Sequence, residues 1–137
     1  MEQLPQRPTG KGAPAQFIGD VYVDAVTGPD AGCTVVAVHF TPGARNAWHT
    51  HATGQTLHCT EGYGLVVTDD EVIALRPGVT AWTPPGQRHW HAAMPDSYMS
   101  HLAISATPVD PDTPVVVWAE HVADEEYESA VARARTA

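Results

Sequence analysis

The sequence predicts one all-β domain that ends in a short C-terminal helix. A chain of 137 residues is long enough for a single domain with a buried core. Its twelve prolines and eleven glycines imply many turns. Between those turns, apolar residues alternate with polar ones or form short β-branched runs, and both patterns are typical of strands.

The predicted strands follow one another at short intervals from residue 17 onward. Residues 17–26 alternate apolar and polar side chains, and residues 33–40 form a β-branched run after a turn at 28–32. The turn at Pro42 and Gly43 leads into a strand that carries His49 and His51. Further strands are predicted over 55–60, 63–68, 71–75, 80–83, 90–91, 98–106 and 115–118.

Both ends of the chain depart from this pattern. Prolines and glycines in residues 1–14 predict an N-terminal arm without a helix, so the β-domain is assigned to residues 15–118. Residues 119–137 are predicted to form a helical segment, with Asp124 as its cap. The acidic residues Glu125 and Glu126 near its start and Arg135 near its end suit the helix dipole.

Charge and hydropathy exclude several classes of function. A net charge of −9 argues against a nucleic-acid partner and against an anionic membrane surface, because both require basic patches. No apolar run approaches the length of a membrane span. The first twelve residues lack the apolar core of a secretory signal, so a cytoplasmic location is expected.

Two histidine pairs are the most informative feature of the chain. The first is His49 with His51, and the second is His89 with His91. Six of the eight histidines lie between positions 49 and 101, which favours a metal site in the core over scattered surface histidines.

Glycines, prolines and a glutamine stand at fixed spacings from these histidines. The residues concerned are Gly43, His49, His51, Gln55 and Gly62 in one stretch, and Gly78, Pro84, Gly86 and His89 in another. The two stretches resemble the two motifs of the cupin superfamily. Gln55 stands where the first cupin motif has a glutamate, and Ala93 replaces the asparagine of the second. The resemblance implies a jelly-roll-like antiparallel β-barrel.

Four of these side chains have the chemistry of metal ligands. If His49 and His51 share a strand, both imidazoles point to the same side of it. Gln55 can return on the neighbouring strand, and His89 can complete the set after a rigid turn. Three imidazole nitrogens and one amide oxygen suit one divalent transition metal, Mn²⁺, Fe²⁺, Co²⁺, Ni²⁺ or Zn²⁺, with positions left open for a ligand.

The neutral amide of Gln55 has an electrostatic consequence. A glutamate would bring one negative charge to the metal, whereas Gln55 leaves the ion with its full double charge. That charge raises the Lewis acidity of the ion and its affinity for an anionic ligand such as an alkoxide or cyanide. A neutral ligand set also stabilises an oxidised ion less, which counts against an oxygenase.

Further side chains are predicted to face the same cavity. His91 can point inward without binding the metal. His101 lies in an apolar strand, where it is either a base close to the metal or a satisfied core histidine. Arg45 and Arg88 lie in predicted turns and are expected to be solvated.

The walls of the cavity are predicted to be apolar. Val36, Val38 and Phe40 share one face of their strand, and Leu57 shares the face of Gln55. A narrow apolar pocket with a metal at its floor favours a small molecule, such as an aromatic one, as the substrate.

Longer strings go beyond the general cupin pattern. Residues 42–57, 84–93, 100–104 and 118–127 resemble the small bacterial cupins related to carboxymuconolactone decarboxylase. That group includes the manganese-dependent bacterial hydroxynitrile lyases. The resemblance implies Mn²⁺ in the metal site, a catalytic His101 outside the ligand set, and a pocket lined by Val36, Val38 and Ser105. It also implies a homodimer or a homotetramer.

Three functions remain open at this point. The first is a lyase that cleaves or forms cyanohydrins, with a metal Lewis acid and His101 as the base. The second is a metal-dependent dioxygenase or isomerase that acts on a small carbonyl or hydroxy compound. The third is a cupin that binds a small molecule without turnover.

Overall fold

The computed structural model describes residues 1–136, which form thirteen short strands and one α-helix. The first seven strands are β1 (Gly10–Lys11), β2 (Phe17–Ile18), β3 (Val21–Thr27), β4 (Cys33–Phe40), β5 (Arg45–Asn46), β6 (His49–His51) and β7 (Gln55–Gly62). The remaining elements are β8 (Gly64–Thr68), β9 (Val72–Leu75), β10 (Thr80–Thr83), β11 (His89–Ala93), β12 (Met99–Ala106), β13 (Val116–Trp118) and α1 (Asp124–Thr136).

The strands form two antiparallel sheets. The six-stranded sheet has the order β1-β3-β4-β12-β7-β10. In the second sheet, β11 pairs with β8 along one edge and with β6 and β5 along the other, while β13, β2 and β9 complete the sheet. This arrangement confirms the predicted all-β fold with a C-terminal helix, and it is consistent with the jelly-roll cupin architecture.

One hydrophobic core joins the two sheets. The six-stranded sheet contributes Val38, Phe40 and Leu57, and the second sheet contributes Val66 and Leu75, all buried. Because side chains alternate along a strand, the residues between these face the opposite side of each sheet. Full burial of each such side chain stabilises the fold by about 1.5–3 kcal/mol.

A second apolar cluster lies between the second sheet and α1. Trp48 and Trp90 pack edge to face, with ring centroids 6.3 Å apart. They meet Tyr127 and Val131 on the buried stripe of the helix. The tryptophans therefore pack on the outer face of this sheet, and the histidines lie on its inner face. The alternation of the sequence predicts this division.

The predicted strand over residues 17–26 is in fact two strands that belong to different sheets. The chain is interrupted at Gly19, whose φ of 82° places it in the left-handed region. β2 pairs with β5 in the second sheet, whereas β3 pairs with β4 in the other. The N-terminal arm is also partly ordered, since β1 pairs with β3.

Arg45 is not solvated, contrary to the expectation from the sequence. It lies in β5 and is only 5% exposed. Its Nε and Nη2 atoms donate to the carbonyl of Val122 at 3.1 and 2.9 Å, and Nη2 also donates to Asp124 at 2.6 Å. Arg45 pairs with Ala92 and Ile18, and this strand pairing places its side chain at the start of α1.

The start of α1 also differs from the prediction. Asp124 is the first helical residue, and its carboxylate accepts a hydrogen bond from Arg45. The hydrogen bond back to the helix start comes from Glu126, whose Oε1 accepts from the amide of Ala123 at 3.0 Å. Within residues 1–136, no helix has both the length and the apolar character needed to span a membrane.

We predict that Arg45→Met lowers the free energy of unfolding by about 1–3 kcal/mol, because the buried carbonyl of Val122 loses its donor. Asp124→Asn serves as the control, since the Asp124 side chain is 86% exposed and its ion pair contributes less than about 1 kcal/mol. Urea unfolding of both variants measures the difference. Equal midpoints for Arg45→Met and wild type would contradict an anchoring role for Arg45.

Candidate metal centre and its cavity

The two histidine pairs meet because their strands are neighbours. His49 on β6 lies directly opposite His89 on β11 in the antiparallel ladder. Their rings are 4.3 Å apart between centroids, and the ring of His51 lies 5.0 Å from His49 and 5.4 Å from His89. All three side chains are buried, so the cluster is inside the protein.

Backbone carbonyls fix the orientation of two of these rings. Nδ1 of His49 donates to the carbonyl of Ala47 at 2.8 Å, and Nδ1 of His89 donates to that of Gln87 at 2.9 Å. In the neutral ring the other nitrogen, Nε2, then carries a lone pair. A histidine that binds a metal usually has this arrangement, with its second nitrogen held by a carbonyl.

Gln55 places an oxygen atom against one of these lone pairs. Its Oε1 lies 3.1 Å from Nε2 of His89. Because Nδ1 of His89 carries the proton, the two atoms are both acceptors. Such a contact is favourable when a cation lies between them, or when the amide turns its NH₂ group towards the ring.

His51 has no hydrogen-bond partner within the described chain. Both of its ring nitrogens are buried and unpaired. A buried polar atom without a partner costs about 1–3 kcal/mol, so an unpaired ring at this position has to be explained. Together with His49, His89 and Gln55, it supplies a donor set that fits a divalent transition metal.

His91 is closer to this cluster than the sequence motif suggests. Among the described residues, three histidines each place one candidate ligand nitrogen within 4.8 Å of the other two. They are His49, His89 and His91. The three-histidine set suggests a divalent metal, but distance alone selects His91 where the motif selects His51.

A chain of hydrogen bonds connects His91 to two further residues. Nδ1 of His91 lies 3.2 Å from Nδ2 of Asn46 and 3.2 Å from Nε2 of His101. The ring of Phe40 packs against His101 at 5.4 Å and against His91 at 6.4 Å. Nε2 of His91 and Nδ1 of His101 are buried without a partner.

These histidines line a cavity of about 490 Å³. His49, His51, His91 and His101 contribute to its polar part, together with Gln55. The walls are mostly apolar. They include Phe17, Val23, Val36, Val38, Ala103, Val116 and Trp118. A second cavity of about 300 Å³ shares Val36, His51 and Gln55 with the first.

The predicted pocket residues divide into two groups. Val36 and Val38 line the main cavity, and Ser105 lines the second one together with Val36. Phe40 and Leu57 are 1% and 0% exposed and belong to the hydrophobic core, so they lie behind the cavity wall. Strand alternation correctly predicts that both side chains face the interior. Whether an interior side chain lines the cavity or packs in the core depends on the tertiary structure.

Several cavity residues were not identified from the sequence. Asn46 lies three residues before His49, and a single buried asparagine gives no periodic signal in the sequence. Phe17 and Trp118 pack with ring centroids 5.7 Å apart, one from each end of the chain. Lys11, Gly12 and Ala13 also reach the cavity from the predicted N-terminal arm.

Burial keeps the buried imidazoles neutral. Desolvation lowers the pKa of His51 to about 4, with repulsion from His89 as the second cause. It lowers the pKa of His101 to about 3. Burial is also the main reason why the pKa values of His49 and His91 lie well below their usual range.

Comparison with known proteins places this geometry in a family. The cupin domain model matches residues 36–105. The chain is 40% identical to an (R)-mandelonitrile lyase from Granulicella tundricola over 130 residues, which are 93% of this chain and 97% of that protein.

Solved structures show the same fold. A cupin-like protein from Thermotoga maritima superposes with a TM-score of 0.81 at 33% identity, covering 88% of this chain and 91% of that one. The polyketide cyclase RemF from Streptomyces resistomycificus has a TM-score of 0.69 at 15% identity, over 93% of this chain and 91% of its own. At that identity the likeness to the cyclase concerns the fold alone.

We predict that the metal-free protein becomes less stable as the pH falls below about 6.5, the usual pKa of histidine in an unfolded chain. Between that pH and the folded pKa values of about 4 for His51 and about 3 for His101, the unfolded state binds more protons. Stability therefore decreases with falling pH, by up to about 1.4 kcal/mol per pH unit for each ring.

Urea unfolding of chelator-treated protein at pH 7.5 and 5.0 measures this effect. The variants His51→Gln and His101→Gln should each reduce the difference between the two pH values. The same free energy of unfolding at both pH values would show that the folded protein takes up these protons without cost.

Proposed function

The chain belongs to the cupin family, and on that premise we propose that it is a metal-dependent carbon–carbon lyase that cleaves or forms cyanohydrins. The observation that carries this proposal is a metal-ligand set at the floor of an apolar cavity, in a chain similar over nearly its whole length to a mandelonitrile lyase. The substrate is then a small hydroxynitrile, and the products are an aldehyde or ketone and hydrogen cyanide.

The donors that would hold the metal are His49, His51, Gln55 and His89. The first and last have a free Nε2, both nitrogens of His51 are unpaired, and Gln55 presents an oxygen. A divalent ion bound here supplies Lewis acidity, which polarises a hydroxyl or nitrile group. We keep Mn²⁺ as the expected ion, with Fe²⁺, Co²⁺, Ni²⁺ and Zn²⁺ as alternatives, and a homodimer or homotetramer as the expected assembly.

His101 is suited to move the hydroxyl proton. It lines the cavity, and its Nδ1 is buried and unpaired. In cleavage the imidazole accepts the hydroxyl proton, the O–H electrons form the carbonyl bond, and the C–C electrons leave with cyanide. The protonated ring then returns the proton to cyanide, and burial, which lowers the pKa of His101, favours that return.

The apolar walls would hold the organic part of the substrate. Val36, Val38 and Ala103 come from the six-stranded sheet, while Phe17 and Trp118 approach from the two ends of the chain. A wall of this kind excludes water from the reacting atoms and strengthens the electrostatic interactions there. It also favours an aromatic or branched substituent over a polar one.

We predict that the protein cleaves mandelonitrile and that His101→Ala lowers kcat by about 10²- to 10⁴-fold while the metal remains bound. His121→Ala is the matched control, because His121 is exposed and does not line the cavity. Benzaldehyde release measures turnover, and metal analysis of each variant measures occupancy. Wild-type turnover in His101→Ala would remove that residue from the mechanism.

We also predict that the purified protein binds one divalent ion per chain and loses cleavage activity on treatment with a chelator. His51→Ala should weaken metal binding by 100-fold or more, on the order of the loss of one ligand and its supporting contacts. His58→Ala is the control, since that ring bonds Thr80 outside the cavity. Full metal occupancy without any cleavage would instead favour the dioxygenase or the non-catalytic alternative.

A further inference from the structure

Asn46 is a buried polar residue that contacts one of the cavity histidines. It lies in β5, is 4% exposed and lines the main cavity. It is the single asparagine of the 137-residue sequence. Its side chain makes two hydrogen bonds, and both are to His91.

The orientation of the Asn46 amide follows from the first of these bonds. Oδ1 accepts a hydrogen bond from the backbone N–H of His91 at 2.7 Å. A backbone N–H can only donate, so the oxygen of the amide must be on that side. The NH₂ group therefore faces Nδ1 of His91, at 3.2 Å.

The second bond determines where His91 carries its proton. Because Nδ2 of Asn46 is a donor, Nδ1 of His91 has to accept. The neutral ring then carries its hydrogen on Nε2, which is buried and unpaired. A protonated Nε2 has no lone pair to offer a metal, and it is a hydrogen-bond donor.

We propose that Asn46 is a positioning residue that keeps His91 out of the metal's ligand set and holds it as a hydrogen-bond donor to the substrate. The proposal rests on the metal centre of the proposed function. The role of Asn46 explains why the proposed ligand set contains His51 and not His91, although nitrogens of His49, His89 and His91 lie within 4.8 Å of one another. The acceptor on the substrate is an oxygen or a nitrile nitrogen.

The effect of Asn46 extends to His101. Nε2 of His101 lies 3.2 Å from Nδ1 of His91, so His101 donates there and shares the single lone pair of that nitrogen with the Asn46 amide. Nδ1 of His101 is then an unpaired acceptor. One amide thus leaves the two rings with opposite roles, with a donor on His91 and a proton acceptor on His101.

The first test requires no substitution. In ¹⁵N-histidine-labelled protein, long-range ¹H–¹⁵N correlation spectra report which ring nitrogen of each histidine carries hydrogen. We expect His91 to carry it on Nε2 in both the metal-free and the zinc-loaded protein, with His91→Gln used to assign the signal. Hydrogen on Nδ1 of His91 would overturn the proposal, whatever the activity of the enzyme.

The second test reverses the polarity of the contact. Asn46→Asp keeps an oxygen for the backbone amide of His91 and replaces the NH₂ group with a second oxygen. Nδ1 of His91 must then donate, which frees Nε2 to bind a metal. We expect the hydrogen of His91 to move to Nδ1 and the affinity for zinc to rise by about tenfold or more.

A double-mutant cycle separates this effect from the added charge. His91→Ala should change zinc affinity less than about threefold in the wild-type background, because His91 is not a ligand there. In the Asn46→Asp background the same change should cost about tenfold or more, since His91 has become one. A large loss in the wild-type background, or none in the Asn46→Asp background, would overturn the proposal.

The readouts also distinguish this proposal from the proposed function. If the protein binds zinc but does not cleave cyanohydrins, the proton positions and the cycle still decide the role of Asn46. If it binds no metal, the role of Asn46 in excluding His91 from a ligand set is overturned together with the metal centre. If Asn46→Asp does not fold, the proton positions of the wild-type protein and the zinc affinity of His91→Ala in the wild-type background still decide the question.

Discussion

The cost of burying polar nitrogen atoms without partners is the constraint on which the site depends. Within the described chain, the buried side-chain nitrogens that lack a partner belong to His51, His91, His101 and Trp90. Three of these four residues line one cavity. Each unpaired atom destabilises the folded protein unless a ligand or ion engages it, so occupation of the cavity is expected to stabilise the fold.

The surrounding hydrogen bonds separate the rings of the cluster by role. Carbonyls of Ala47 and Gln87 accept from His49 and His89 and leave a lone pair on each ring for a metal. The amide of Asn46 does the opposite to His91 and leaves it a hydrogen to donate. Four similar imidazoles thus become ligands, donor and acceptor through their hydrogen-bonding neighbours, while His51 is left unpaired and available to a metal.

The packing on the far side of the second sheet holds this arrangement in place. The strands that carry the histidines inward carry Trp48 and Trp90 outward, where α1 covers them. Arg45 fastens the start of α1 to β5, the strand that also contains Asn46. The position of Asn46 relative to His91 therefore depends on β5, which Arg45 anchors to the start of α1 on one face and Asn46 links to His91 on the other.

The sequence by itself determined the fold class and the residues that could bind a metal, because the alternation of strands and the spacing of the glycine and proline turns are local properties. It placed His49, His51, Gln55 and His89 on strands that converge. It selected His51 over His91 from the motif spacing alone. The hydrogen bonds of His91 to Asn46 and His101 came only from the tertiary structure. Arg45, Asn46 and the two strands on either side of Gly19 were likewise decided by the tertiary structure, because their partners lie elsewhere in the chain and leave no periodic signal.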